Sequence, residues 1–321
     1  MTRNWTLLAG ALSASVVATR AAAATARKMG IVDNPGPLKP QAAPVPYLGG
    51  LGVFAGTALG VAATRPVWLV PMGLATALGT VDDCANLTPG ARVAGQLAVG
   101  AISAATVKTS LPGPLGPAAV VGASFVLMNG INLVDGLDGL AGGVAAGAGA
   151  AFALILEGDA RTVASAFALG CTGFLVHNRP PANVYLGDGG AYLIGTSLAL
   201  LLATAWKPGV RPQVNLASLL VVAIPAAEVT FALVRRRRSR RSVVEGDRGH
   251  PYDRLVARGW STRRAAAAYV ATGLALGAIA VASSRSRSAS LPAIAVGTAA
   301  AIMVGVATAT GLLEPTSDDE P

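Results

Sequence analysis

Charge is what this 321-residue chain lacks first: Asp, Glu, Lys and Arg make up only 13% of it. A soluble domain usually carries about 25%, so an ordinary water-soluble enzyme of this size is excluded. Aromatic residues are only 5% of the chain, which leaves few platforms for stacking nucleic-acid bases. There are two cysteines, Cys84 and Cys171, and neither sits in a CxxC pair. Two cysteines make neither a disulfide scaffold nor a Cys-rich zinc site, and small apolar residues in a packed interior are the expected role for both. What fills the chain instead is apolar: 53% hydrophobic residues, which also excludes disorder. Glycine is abundant, 39 of 321, about 12% against a usual ~7%. Small residues let membrane helices approach closely.

A bilayer core of ~30 Å needs about 20 apolar residues per helix. Eleven runs meet or approach this: 5–24, 47–63, 67–79, 92–107, 115–134, 140–156, 162–176, 191–206, 214–234, 265–282 and 291–313. The third is the shortest, so ten spans is the alternative count. The runs are continuous rather than alternating, which excludes a membrane β-barrel. The expected fold is all-α, a polytopic transmembrane helix bundle, with residues 1–321 forming one membrane domain. The first run could be read as a signal peptide, but Arg20, Arg27 and Lys28 follow it and outweigh Arg3 before it. The positive-inside rule then places the N-terminus outside and the first loop in the cytoplasm.

Counting from there, the inner side holds 17 of the 25 Lys and Arg residues, eleven of them arginines between positions 235 and 264. The run at 235–241 is read as a topology signal and an anionic-lipid contact. The net charge of +9 therefore reports orientation rather than nucleic-acid binding. Asp33, Asp82, Asp83, Asp135, Asp138 and Asp188 fall on inner loops or inner helix ends, together with Asn129, Asn132, Asn178 and His250. A transporter more often places its ionisable groups near the midplane, on broken helices. Gathering them at one face suits a site that meets a cytosolic substrate at the membrane surface.

Four segments carry this chemistry. Asp82-Asp83 follows the third run; paired carboxylates at a membrane edge share a proton, bind a cation or act as a base, unless they are a solvated helix cap. Asn129-Gly-Ile-Asn132-Leu-Val-Asp135-Gly-Leu-Asp138 ends an apolar run with four polar residues three apart, which share one face if the helix continues. Their hard oxygens suit Mg²⁺. Asn178 opens a loop that continues to Tyr185-Leu-Gly187-Asp188-Gly189-Gly190 ahead of the next span. Backbone N–H groups at a helix N-terminus favour anions, and Asp188 offers a metal ligand beside them. Tyr185 would stack on a base or anchor the chain at the interface. His250, flanked by Arg248 and Arg254, forms a candidate diphosphate clamp. The first inner loop, 25–46, reads as a Pro/Gly connector, with Lys39 available to lipid phosphate.

In this order, over residues 30 to 255, these segments resemble the polyprenyl-phosphate N-acetylhexosamine-1-phosphate transferases, glycosyltransferase family 4. The stretches 129–141 and 181–190 are the most specific. The resemblance implies transfer of N-acetylhexosamine-1-phosphate, most closely GlcNAc-1-phosphate, from a UDP-sugar to a polyprenyl phosphate with release of UMP. It implies Asp82 and Asp83 in catalysis and Asn132 and Asp188 at Mg²⁺, with Mn²⁺ as an alternative ion. Asp138 is implied at the nucleotide-sugar, Tyr185 beneath uracil and His250 at the diphosphate. Arg92 falls where the family usually has Lys. Lys39, Asn129, Asp135, Asn178 and Arg254 complete the expected substrate-binding set. Leu38 and Gln41 stand where the family's first loop carries Arg and His, Ala191 replaces a Ser, and the histidine cluster is reduced to His250. That reduction separates the chain from the phospho-MurNAc-pentapeptide branch. Expected partners are UDP-N-acetylhexosamine, polyprenyl phosphate, the lipid bilayer and, as an option, a second copy in a homodimer; nucleic acid is not among them. The expected location is the plasma membrane, with the site on the cytoplasmic face. The rival readings are a transporter or flippase of lipid-linked sugars, a phospho-MurNAc-pentapeptide transferase, and an inactive family member acting as a structural partner. Direct transfer and a covalent aspartyl intermediate both remain open.

Overall fold

A computed structural model describes residues 2–35, 43–239 and 249–313. Lys39, Gln41, Leu38 and Arg248 lie outside them. Among the described residues, regular structure is helical apart from one two-residue antiparallel pair. The helices run α1 (Thr2–Met29), α2 (Gly50–Thr64), α3 (Leu69–Ala85), α4 (Pro89–Thr106), α5 (Leu115–Val134), α6 (Leu140–Ile155), α7 (Gly158–Asn178), α8 (Gly187–Ala205), α9 (Pro212–Val221), α10 (Ala223–Arg238), α11 (Pro251–Ala257), α12 (Thr262–Ser284) and α13 (Ser290–Ala309). The strands β1 (Val32–Asp33) and β2 (Val45–Pro46) pair with Val32 opposite Pro46. They join the two ends of the expected Pro/Gly connector. This is a polytopic membrane bundle. Each of the eleven apolar runs coincides with a helix, except that 214–234 is shared by α9 and α10. Five helices are individually long and apolar enough to cross a bilayer: α1, α5, α8, α12 and α13. The pair α9–α10 adds a sixth as one span bent by 59°. Pro225 explains the bend, since it has no N–H to return to the carbonyl four residues back.

The core centres on α8, whose side chains are buried almost throughout. Its neighbours reach it through glycines. A Cβ on Gly79 of α3 would lie 2.3 Å from the carbonyl of Asp188, one on Gly50 of α2 would lie 2.3 Å from Cα of Gly190, and one on Gly195 of α8 would lie 2.3 Å from the Met128 nitrogen of α5. Such close backbone approach is how small residues hold membrane helices together. By contrast α12 and α13 are mostly uncovered, with Leu274, Ile279, Ile294, Ile302 and Val304 facing outward. In a bilayer these side chains meet lipid.

Gly79→Ala is therefore expected to push α3 from α8 and cost about 1–3 kcal/mol. A thermal unfolding midpoint in detergent indistinguishable from wild type would contradict that packing.

Two expectations need correction. Cys171 is buried in α7, but Cys84 is exposed, because it follows Asp83 on α3 and points away from α8. Arg235 is not a solvated head-group contact: it is 1% exposed, and its Nη1 donates to the Leu312 carbonyl.

Candidate functional site

The third apolar run does not stop before the paired aspartates. Helix α3 continues through them, so Asp82 and Asp83 occupy its last turn and cannot be an N-terminal cap. Asn86 then closes the helix in the left-handed conformation, φ 49°. Successive helical residues point about 100° apart, and this separates the two carboxylates. Asp82 turns inward and is 3% exposed. Its Oδ1 accepts from Leu87 N and Arg92 Nη2, both at 3.1 Å, and its Oδ2 accepts from Tyr192 OH at 3.0 Å. Arg92 Nε makes a further ion-pair contact to Oδ2 at 2.6 Å. A carboxylate has about four acceptor positions, so Asp82 is fully engaged.

Asp83 faces the start of α8, where backbone N–H groups lack helical partners. Asp188 N donates to its Oδ1 at 3.0 Å and Gly189 N to its Oδ2 at 3.3 Å. Each oxygen keeps a second lone pair for another group. Gly187 lies directly over this carboxylate with φ +74°; a Cβ there would fall 2.6 Å from Asp83 Oδ2.

Helix α5 ends at Val134, so the four polar residues do not share one helical face. Asn132 remains on the helix and donates through Nδ2 to Asp188 Oδ1. Asp135 follows the helix end, and Asp138 lies in the turn before α6, accepting from Ala182 N at 2.9 Å. Burial raises the Asp135 carboxyl well above the ordinary range, and the charges of Asp188, Asp83 and Asp138 push it the same way. Asn129 goes elsewhere: its Nδ2 donates to Gln96 Oε1 of α4 and to the Phe125 carbonyl, each at 2.8 Å.

The surviving groups line one cavity of about 1030 Å³: Asp82, Asp83, Arg92, Asn132, Asp135, Asp138, Asn178, Tyr185 and Asp188. Tyr185 is half-buried at its wall, its ring centroid 6.2 Å from that of Tyr47. Asn178 is buried and engaged at both ends, accepting from Gly139 N and donating to the Val184 carbonyl, each at 2.9 Å. It ties the α5–α6 turn to the 179–186 loop. Asn178→Leu is expected to orphan both backbone groups at about 1–3 kcal/mol each and to lower the thermal midpoint; an unchanged midpoint would contradict the tie.

His250 and Arg254 are not brought into this cavity. His250 Nδ1 lies 3.0 Å from Glu228 Oε2. Arg254 Nη1 donates to the Gly311 carbonyl at 2.6 Å, and Arg238 and Arg258 donate to Leu313 and Thr310. With Arg235 they supply donors to the carbonyls that follow α13, where basic groups are favoured. The residues that sequence reasoning missed are Tyr47, Tyr192 and Glu228. Each is an ordinary-looking residue in an apolar run or a loop, and only its partner reveals it.

Among the described residues no three His, Cys, Asp or Glu side chains are grouped closely enough to hold a metal ion by themselves. Mg²⁺ does not require that, since it usually takes one or two carboxylates and completes its shell with water and substrate phosphate. The donor set here is all hard oxygen, and the crowded negative charge around Asp135 is what a divalent cation relieves. Asp188 and the amide oxygen of Asn132 fit such an ion, and Mn²⁺ accepts the same ligands.

An acidic cavity of this kind, lined by helix ends of a membrane bundle, suits an integral-membrane enzyme. The chain belongs to glycosyl transferase family 4. That family's profile matches residues 66–205, the stretch from before Asp82 to the end of α8. The decaprenyl-phosphate N-acetylglucosaminephosphotransferase of Mycolicibacterium smegmatis is 32% identical over 274 residues, covering 69% of this chain and 68% of that protein. The undecaprenyl-phosphate alpha-N-acetylglucosaminyl 1-phosphate transferase of Escherichia coli K12 is 26% identical over 270 residues, 75% of this chain and 73% of its own. A probable undecaprenyl-phosphate N-acetylglucosaminyl 1-phosphate transferase of Bacillus subtilis is 28% identical over 263 residues, 74% of this chain and 72% of its own.

Proposed function

We propose that this protein transfers N-acetylglucosamine-1-phosphate from UDP-N-acetylglucosamine to a polyprenyl phosphate, releasing UMP and leaving a lipid-diphospho-sugar. The observation that carries the reading is the meeting of Asp83, Asn132, Asp135 and Asp188 around one cavity, from helices distant in sequence. The activities of the relatives agree with it. With each of the eleven apolar runs taken as a crossing and the N-terminus outside, the proposal puts this cavity on the cytoplasmic face, the side richer in Lys and Arg by the positive-inside rule.

Phosphoryl transfer of this type is chiefly positioning and charge neutralisation. Asp83, with open acceptor positions, takes the proton of the lipid phosphate as its oxygen attacks the sugar-linked phosphorus. Asp82, saturated by Arg92, Tyr192 and Leu87 N, holds the end of α3 against α4 and α8. Tyr185 and Tyr47 wall the side of the cavity suited to the uracil ring. Asp188 and Asn132 would hold Mg²⁺, which when bound offsets diphosphate charge and stabilises departing UMP. The polyprenyl tail stays in lipid, beside helices rich in small residues.

The test is a purified preparation given polyprenyl phosphate, radiolabelled UDP-N-acetylglucosamine and Mg²⁺. UMP and lipid-soluble label are expected in equal amounts. Label that stays water-soluble while the lipid is present would refute the proposal.

A further inference from the structure

One buried carboxylate has no role in the proposed transfer. Glu228 of α10 is 2% exposed. Its Oε1 accepts from Tyr269 OH of α12 at 2.6 Å, and its Oε2 lies 3.0 Å from His250 Nδ1. A buried ionisable group is costly unless paired, and in a membrane helix it is a functional candidate by default. The pairing leads toward the cavity. The His250 ring stacks on Tyr252 with centroids 5.3 Å apart and planes within 8°. Tyr252 OH donates to the Leu133 carbonyl at 2.9 Å. Leu133 is in the last turn of α5, where carbonyls have no helical donor. The same ring fills the space over Gly136, where a Cβ would lie 2.2 Å from the Tyr252 hydroxyl oxygen. Glu228, His250 and Tyr252 thus form a continuous brace from the bent helix α10 to the turn between Asn132 and Asp138.

Resting on the transferase reading above, we infer that Glu228 is a positioning residue for that site. It holds the His250 imidazole by the Nδ1 side and, through the His250–Tyr252 stack, fixes the turn that carries Asp135 and Asp138. The Nδ1–Oε2 contact at 3.0 Å sets the ring in one orientation. His250 acts here through Nδ1 and the ring face. A diphosphate contact would instead run through Nε2.

Paired substitutions separate these roles in the full-length protein. His250→Asn keeps an N–H donor near the Nδ1 position and discards Nε2; His250→Gln does the reverse. His250→Asn is expected to retain about tenfold more kcat than His250→Gln. Glu228→Gln is expected to lower kcat by about tenfold or more while KM for UDP-N-acetylglucosamine stays within about threefold. Hydrogen exchange of the 130–140 segment, read without substrate, is expected to quicken by about tenfold in Glu228→Gln and in Tyr252→Phe, with α2 and α7 unchanged. The inference is overturned if His250→Gln matches or exceeds His250→Asn, if KM rises while kcat holds, or if exchange at 130–140 does not move. Should Glu228→Gln fail to fold, Tyr252→Phe and the histidine pair decide the matter. A wild-type protein that releases no UMP counts against the transferase reading alone, since the exchange measurement still judges the brace.

Discussion

Asp188→Asn is expected to lower UMP release by on the order of 10³-fold and to raise the Mg²⁺ concentration needed for half-maximal rate. The substitution preserves the local contacts. Asparagine keeps an oxygen able to accept from Asn132 Nδ2, the one hydrogen bond the Asp188 side chain makes to that helix. It keeps the backbone N–H that Asp83 receives. The helix start is therefore retained, and one negative charge is lost beside Asp83 and Asp135. That charge is what a hard divalent ion requires at this point in the cavity. A variant matching wild type across a Mg²⁺ titration would remove Asp188 from the metal site and with it the assigned role of Asn132.

Asp83→Asn is expected to yield a folded protein that binds UDP-N-acetylglucosamine but transfers 10²–10⁴-fold more slowly, on the order of a lost general base. The contrast with its neighbour makes this specific. Asp82 is enclosed by an arginine, a tyrosine hydroxyl and a backbone N–H, whereas Asp83, among the described residues, receives two backbone N–H groups and faces the cavity. Asparagine can still accept from Asp188 N. Its amide nitrogen would face Gly189 N, a mismatch of roughly 1–3 kcal/mol, so a modest fall in thermal midpoint accompanies the loss. Single-turnover UMP release measured beside calorimetric binding of the UDP-sugar separates chemistry from affinity. Transfer within tenfold of wild type would exclude Asp83 as the base.

Much of this was legible in the residues. Apolar runs locate helices because backbone groups in lipid have no other solution, and every run but 214–234, which is shared by α9 and α10, coincides with one helix. The segment 129–138 and the Gly187–Gly190 stretch stood out because polar regularity inside apolar sequence is costly unless used. The misplacements have physical reasons. Spacing of three assumes a helix that continues, but α5 stops at Val134, and Asn129 pairs with Gln96 of α4 instead of joining Asp135 and Asp138 at the cavity. His250 and Arg254 were grouped by nearness in sequence, yet each is taken by a partner far along the chain, Glu228 and the Gly311 carbonyl. No local pattern encodes such partners. The unequal state of Asp82 and Asp83 was equally hidden, because it arises from Arg92 and Tyr192 meeting one carboxylate and the start of α8 meeting the other.

An experimental structure with UDP-N-acetylglucosamine and Mg²⁺ bound tests the central claim most directly. The account predicts a diphosphate seated between Asp83 and the Asp188–Asn132 pair, the ion touching Asp188, and uracil against Tyr185. A nucleotide bound in another cavity, or a diphosphate out of reach of both Asp83 and Asp188, would contradict it.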